Sequence, residues 1–350
     1  MIDVVSVVVP YFNIEADRLC RCIESILSQK ECKYEIVLVD DGSAGQNAAL
    51  CDELAEVHSE IRVFHQENKG VSSARNAGIR ESRGEYIMFV DPDDELYSDM
   101  CISESLDIAM SENADIVVGG VSYCFENKEF PSSYSLPNSK KKWVVESKRE
   151  LKDFSEYYCC FALPIGSRIP STLNRGPVAK LFRKSLFCVE MYDENLIYGE
   201  DAILNAEVFS SSKKVVIVDR VWYRYYQYAQ SISHAKTFDE VKRNIDAGCN
   251  HGIFSGNPSW STAFRVHCII DTCVTMVQSR GFRARREMLQ MLSEDWAKEA
   301  LRDFSFKKYK VPKYKEVLIK LARVNSVFLI CATMVIAGAF LRLQGKKVIC

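Results

Sequence analysis

The sequence has no G-x-G-x-x-G after its first strand-like segment and no G-x4-G-K-[ST] anywhere, so a nicotinamide or flavin Rossmann enzyme and a P-loop NTPase lose their main support. It also lacks the repeated C-x2-C spacing of a zinc site, and no His follows pairs such as Cys20/Cys22 or Cys159/Cys160 at ligand spacing. The 14 cysteines therefore read as reduced, mostly buried thiols of a cytoplasmic protein. A basic leader is missing: Met1-Ile2-Asp3 runs directly into Val4–Val9 and Pro10, so the N-terminus is expected to belong to the fold. Net charge is scarce as well, with 45 Lys and Arg against 47 Asp and Glu. With that balance and no recognised nucleic-acid motif, no nucleic-acid partner is expected.

What is present describes a globular chain of 350 residues, 47% hydrophobic and 26% charged, long enough for one large domain or two ordinary ones. Its charge is graded. Residues 1–100 hold 9 basic and 20 acidic side chains, whereas residues 301–350 hold 11 basic and 2 acidic ones. Apolar runs rich in β-branched residues at Val4–Val9, Glu35–Val39, Ile61–His65, Tyr86–Val90 and Ile116–Val118 read as strands. Between them Leu19–Gln29, Gln46–Val57, Ser72–Glu81 and Asp99–Ser111 read as helices. Alternation of this kind predicts an α/β fold, a mostly parallel sheet covered on both faces, with ligands bound outside the carboxyl ends of its strands.

Those ends carry the chemistry. Strand one closes on Pro10-Tyr11-Phe12-Asn13, strand two on Asp40-Asp41-Gly42-Ser43, and strand four on Asp91-Pro92-Asp93-Asp94. Five carboxylates on one sheet edge raise one another's pKa or require a cation, and a hard divalent ion (Mg²⁺ or Mn²⁺) that keeps open positions for phosphate oxygens fits a nucleotide-diphosphate ligand. The plainer alternative is that Asp40 and Asp41 cap a turn while Asp93 and Asp94 cap the next helix. The segment Asn68–Gly78 offers a turn, a helix start and the cations Lys69 and Arg75 for phosphate, or simply an ordinary capped helix.

Taken in order, Val-Val-Pro-Tyr-Phe-Asn (8–13), Val-Asp-Asp-Gly-Ser (39–43), Asn-Lys-Gly-Val-Ser-Ser-Ala-Arg-Asn-Ala-Gly (68–78), Phe-Val-Asp-Pro-Asp-Asp (89–94) and Gly-Glu-Asp (199–201) resemble family 2 glycosyltransferases of the GT-A fold over about residues 1–235. The resemblance implies a Rossmann-like, mostly parallel sheet flanked by helices, and an inverting hexosyltransferase-type enzyme using a nucleotide-sugar donor and usually a divalent metal. Matched residue by residue, Pro10, Tyr11, Phe12, Asn13 and Asp41 would border the base, with Arg75 and Lys69 nearby and Asp91 near the ribose. Asp93, with Asp91 of the same D-x-D element, would ligate the metal. Phe12 stands where many relatives have Tyr. Inversion needs one base to take the acceptor proton; Asp201 matches the family's E-D position for it, with Glu200 orienting the acceptor. Tyr226 and Tyr228 fall where relatives place cations, so either Arg224 or His234 substitutes or phosphate is held less tightly there.

The expected division is a catalytic domain over 1–235, with nucleotide-sugar binding in 1–120 and the acceptor side in 121–235, followed by a helical C-terminal extension over 236–350. A polar loop is expected at 127–142, and Gly176–Phe182 resembles the segment that precedes the E-D motif. Val327–Leu341 is apolar and uncharged for fifteen residues, short of the roughly twenty needed to span a bilayer. With the basic, aromatic stretch Lys307–Lys315 it fits a helix lying on an anionic membrane, the inner face of the plasma membrane, near a polyprenyl-diphosphate-linked or glycan acceptor. The leading expectation is synthesis of a surface polysaccharide, capsule or lipopolysaccharide repeat. A nucleotide-sugar binding partner with weak catalysis is the alternative. A sugar-phosphate nucleotidyltransferase is disfavoured because residues 1–20 hold no Gly-rich basic loop.

Overall fold

The computed structural model describes residues 4–334 apart from 126–127, 132–135, 137–140, 171–172, 189–190, 197–198 and 229–237. Most of the expected 127–142 loop, the Ser231-Ile232-Ser233 segment with His234, and the end of the 327–341 apolar run lie outside the described residues. The chain opens with β1 (Val4–Tyr11), α1 (Ala16–Leu27), β2 (Lys33–Asp40), α2 (Gln46–Val57), β3 (Ile61–His65), α3 (Val71–Glu81), β4 (Tyr86–Phe89), β5 (Glu95–Leu96) and α4 (Cys101–Glu112). It continues through β6 (Ile116–Phe125), β7 (Lys128–Pro131), β8 (Lys142–Val145), α5 (Lys148–Cys160), β9 (Leu163–Pro164), β10 (Lys180–Arg183), α6 (Glu200–Ser211) and β11 (Val215–Tyr226). Then follow α7 (Phe238–Cys249), α8 (Pro258–Arg280), α9 (Arg285–Ser293), α10 (Asp295–Asp303), β12 (Tyr309–Lys310) and α11 (Lys313–Arg323).

These form two compact units. The first comprises residues 1–155, 168–194 and 199–228; the second comprises 156–167, 195–198 and 229–350. In the first, one sheet runs in the order β3-β2-β1-β4-β10-β6-β11-β5, with β7 on β6 and β8 on β11. β1 through β4 are parallel, in register from Val4 opposite Lys33 to Tyr11 opposite Asp40. Their fully buried Val, Ile and Leu residues explain the continuous apolar runs. α1 covers the sheet with Leu19, Cys22, Ile23 and Ile26, one face at helical spacing. Burying each Leu or Ile there contributes about 1.5–3 kcal/mol.

The structure adds short strands the sequence reading does not give, β5 and, within the expected 127–142 loop, β7, and departs from it at two further places in the sheet. The strand expected at 116–118 runs on to Phe125, because Gly119 lets the Trp222 ring of β11 lie where a Cβ would sit, 2.3 Å from Cε3. β10, to which the sequence reading gives no strand, enters antiparallel between β4 and β6.

The second unit is helical, with a small antiparallel pair, β9 and β12, in which Tyr309 lies opposite Pro164. Tyr309 is buried and donates to Glu156 Oε1 at 2.7 Å, so this member of the basic, aromatic stretch is a core residue. Lys307, Lys310 and Lys313 are exposed. Among the described residues no helix is long and apolar enough to cross a membrane, and the cysteines form no disulfide.

Candidate active site

The segment after β4 and the first turn of α6 meet in the first unit around one arginine. Arg75 rides on α3, which approaches β1 so closely that a Cβ on Gly78 would lie 2.3 Å from Val8 Cγ1. The guanidinium is therefore driven to the sheet edge, where only 4% of the residue is exposed. Nη1 donates to Asp201 Oδ1 at 2.6 Å and Nη2 to Asp91 Oδ1 at 3.0 Å, while Glu200 Oε1 lies 3.7 Å away. Arg75 and Asp201, 126 positions apart, are thus bonded directly. The ring of Tyr192 lies beside it, 5.3 Å from the guanidinium carbon. Neither Arg75 Nε nor the buried Tyr192 hydroxyl has a partner among the described residues. Polar groups left so each cost about 1–3 kcal/mol.

The acidic pair at the start of α6 is divided by its surroundings. Burial, and then the neighbouring Asp201 charge, push Glu200 up to about 8, so it keeps its proton at neutral pH. Asp201 is also raised, chiefly by burial, but Arg75 and Lys180 oppose the rise. The Asp201 side chain stays 26% exposed.

The five edge carboxylates separate into distinct roles. Asp40 accepts from Ser43 N (3.0 Å) and pairs with His65 Nδ1 (2.8 Å), the turn-capping arrangement. Asp41 accepts from Gln66 Nε2 (2.7 Å) and from the backbone N–H groups of Lys69 (2.9 Å) and Gly70 (2.8 Å), fixing the loop before α3. Asp94 is buried against the Tyr223 hydroxyl (2.8 Å) and Tyr226 N (2.8 Å), and the same Tyr223 oxygen accepts from Asp91 N at 3.0 Å. Asp93 accepts from Arg21 Nη2 (2.7 Å) through its backbone carbonyl, while its carboxylate, alone of these five, is bonded by no other side chain among the described residues; burial together with the Asp91 charge raises its pKa. A carboxylate left in that state beside Asp91 fits a divalent cation. Among the described residues no three acids, histidines or cysteines cluster closely enough to hold a metal by themselves. Such an ion would keep positions for water and phosphate oxygens, as Mg²⁺ normally does.

The remaining donor-side residues are spread along the edge. Pro10 pairs with Val39 inside the sheet, and Tyr11 is 1% exposed with its hydroxyl donating to Ile14 O. Phe12 is 45% exposed, Lys69 is exposed, and the Asn13 amide oxygen accepts from Ala44 N (3.1 Å) and Asn47 Nδ2 (3.2 Å). Arg224 turns to Glu129 (3.2 Å) and Glu95 (3.6 Å). The cations at Tyr226 and Tyr228 come instead from α1. Arg21 lies 4.1 Å over the Tyr226 ring and Arg18 3.7 Å over the Tyr228 ring, and both ease the charge on Asp93. Sequence spacing gives no sign of this pairing, which spans about two hundred residues.

Comparison with known proteins identifies the family and the fold. The profile of glycosyl transferase family 2 matches residues 6–187. The chain is 30% identical over 246 residues to the glycosyltransferase GlyA of Streptococcus pneumoniae, an alignment covering 70% of this chain and 34% of that protein. It is 27% identical over 350 residues to the uncharacterized glycosyltransferase EpsJ of Bacillus subtilis, covering 94% and 95% of the two chains. Among solved structures, S. aureus TarS 1-349 superposes with a TM-score of 0.59 at 15% identity over 99% of this chain and 93% of that one. TarS has also been solved with UDP-GlcNAc, with a TM-score of 0.56 at 13% identity over the same shares. The fold is that of TarS, and the chain belongs to glycosyl transferase family 2 and is a glycosyltransferase.

Proposed function

We propose that the enzyme transfers a sugar, with inversion, from a nucleotide-diphosphate sugar to a hydroxyl of a glycan or lipid-linked acceptor in surface-polysaccharide synthesis, with Asp201 as the base. The observation that carries this reading is the Arg75 bridge, which brings the Asp91 end of β4 to a charged carboxylate at the start of α6. Asp201, ionised and partly exposed, takes the proton of the acceptor hydroxyl. Glu200, neutral beside it, offers a hydrogen bond that orients the acceptor. The exposed Phe12 ring supplies a stacking face for the base, next to the loop that Asp41 holds in place. Asp93 and Asp91 would hold a divalent cation, which when bound stabilises charge on the leaving diphosphate. TarS, which shares the fold, was solved with UDP-GlcNAc and with UDP, so UDP is the first nucleotide to try.

The test is thermal unfolding against UDP, GDP, TDP and CMP, with and without Mn²⁺, for the native protein and Asp93→Asn. At a ligand concentration about 100 times Kd, binding to the folded state adds about 2.7 kcal/mol of stability. A midpoint rise of several degrees is expected with one diphosphate, dependent on Mn²⁺ and lost in Asp93→Asn. No rise with any nucleotide in a folded protein contradicts the reading.

The lipid-linked acceptor places the enzyme at a membrane surface. In the second unit Lys307, Lys310 and Lys313 are exposed, as are Tyr314, Val317, Val324, Phe328 and Leu329, a composition suited to an anionic interface. Sedimentation with vesicles containing phosphatidylglycerol is expected, and not with pure phosphatidylcholine; equal behaviour with both would remove this part of the proposal.

A further inference from the structure

Lys180, the first residue of β10, is the most completely buried cation of the described chain, with no exposed surface. An ammonium in such a place must spend its protons on oxygen. Its Nζ donates to the carbonyls of Asn174 (3.0 Å), Gly176 and Val178 (3.5 Å), so one charged group gathers three peptide oxygens of the 174–178 segment. That segment lies against the base: a Cβ on Gly176 would sit 4.0 Å from Asp201 Oδ2. α6 fastens it from the other side. Asn205, one turn after Asp201 on the same helix, donates to the carbonyl of Arg175 at 2.9 Å. The oxygen of Asp201 left over by Arg75 therefore faces a wall whose shape is fixed by Lys180 and Asn205.

We propose that Lys180 is a positioning residue for sugar transfer, pinning the 174–178 wall beside Asp201 and supplying the second positive charge that balances the base. This rests on Asp201 being the base. The charged and titratable groups facing Asp201 are Arg75 from α3, Asp91 after β4, Lys180 from β10, Glu200 from α6 and the buried Tyr192. Of these only Arg75 and Lys180 lower its proton affinity. Burial in turn pulls Lys180 down to about 7, opposed by Asp201. The three carbonyls and the nearby Asp201 favour its charged form against that burial.

The test compares Lys180→Met, Lys180→Arg and Asp201→Asn in the rate of nucleoside diphosphate release from the donor selected by the thermal screen, as a function of pH. Lys180→Met keeps the apolar stem and removes the charge. Its kcat is expected to fall about 10- to 100-fold with donor KM within about threefold, the effect of a displaced catalytic group. The acid limb of its kcat profile is expected to move up by about one pH unit, because Asp201 loses an opposing charge. A merely structural lysine would not move that limb. Lys180→Arg keeps the charge but replaces the compact ammonium by a longer, planar group that cannot meet the three carbonyls from one point, so kcat is expected to fall with the acid limb in place. If Lys180→Met does not fold, Lys180→Arg decides: a limb that moves, or an undiminished kcat, overturns the proposal. Full kcat and an unmoved limb in folded Lys180→Met overturn it as well. Undiminished release by Asp201→Asn would instead remove the base assignment, which separates the two failures.

Discussion

Replacing Arg75 by methionine is expected to destabilise the protein by about 3 kcal/mol and to abolish transfer. Methionine fills the space of the arginine stem but leaves Asp91 and Asp201 without the cation that both now bond. Breaking a buried ion pair from one side typically costs about 3–5 kcal/mol, because a desolvated charge remains. Here the low end applies, since the side chains of Asp91 and Asp201 each keep 26% of their surface exposed and water can partly replace the guanidinium. The loss should appear in urea unfolding as a lower midpoint with an unchanged slope. Arg75→Lys should recover part of the stability but little activity, because a single ammonium cannot span two carboxylates in the fork geometry of a guanidinium. A midpoint for Arg75→Met equal to that of the native protein would show that the bridge contributes nothing to the fold.

Asp201→Asn is expected to lower turnover by about 10³-fold, within the range general base catalysis supplies. Asparagine has the same shape and can still accept from Arg75 through its amide oxygen, but it cannot take a proton. Glu200 is bonded differently: its Oε1 lies 3.7 Å from the Arg75 guanidinium, against 2.6 Å for Asp201 Oδ1, so it is not placed as Asp201 is. Nor should the substitution damage donor binding, which depends on the other end of the bridge: Arg75 retains Asp91, and the Asp41 contacts with the 66–70 loop are untouched. The product of the native enzyme is expected to carry the inverted anomeric configuration, read by proton NMR of freshly formed product.

Much of this was legible in the residues. Apart from β5, the helices and strands up to Glu112 fall within about three residues of the structure, because uninterrupted apolar runs alternate there with amphipathic segments. Parallel topology alone places the ends of β1, β2 and β4 on one edge, the acids at β2 and β4 among them. What local pattern does not hold is pairing across distance. Nothing near Arg75 announces Asp201, nothing near Tyr223 announces that its hydroxyl will link Asp91 to Asp94, and Arg18 and Arg21 read as solvated charges on an amphipathic helix. β10 was hidden because it is only four residues long and begins and ends with a cation. A buried lysine interrupts the apolar signal at the very place where it makes the structure. The allocation of 156–167 to the second unit depends on contacts with distant helices and strands, such as Tyr309 with Glu156, that no composition shift marks.

The most direct test of the central claim is donor affinity and nucleoside diphosphate release measured on one preparation of Asp201→Asn, with Mn²⁺ present, beside the native enzyme. The account predicts a dissociation constant within a few-fold of native and release reduced about 10³-fold. Release at the native rate would contradict it, and a carboxylate other than Asp201 would have to take the proton.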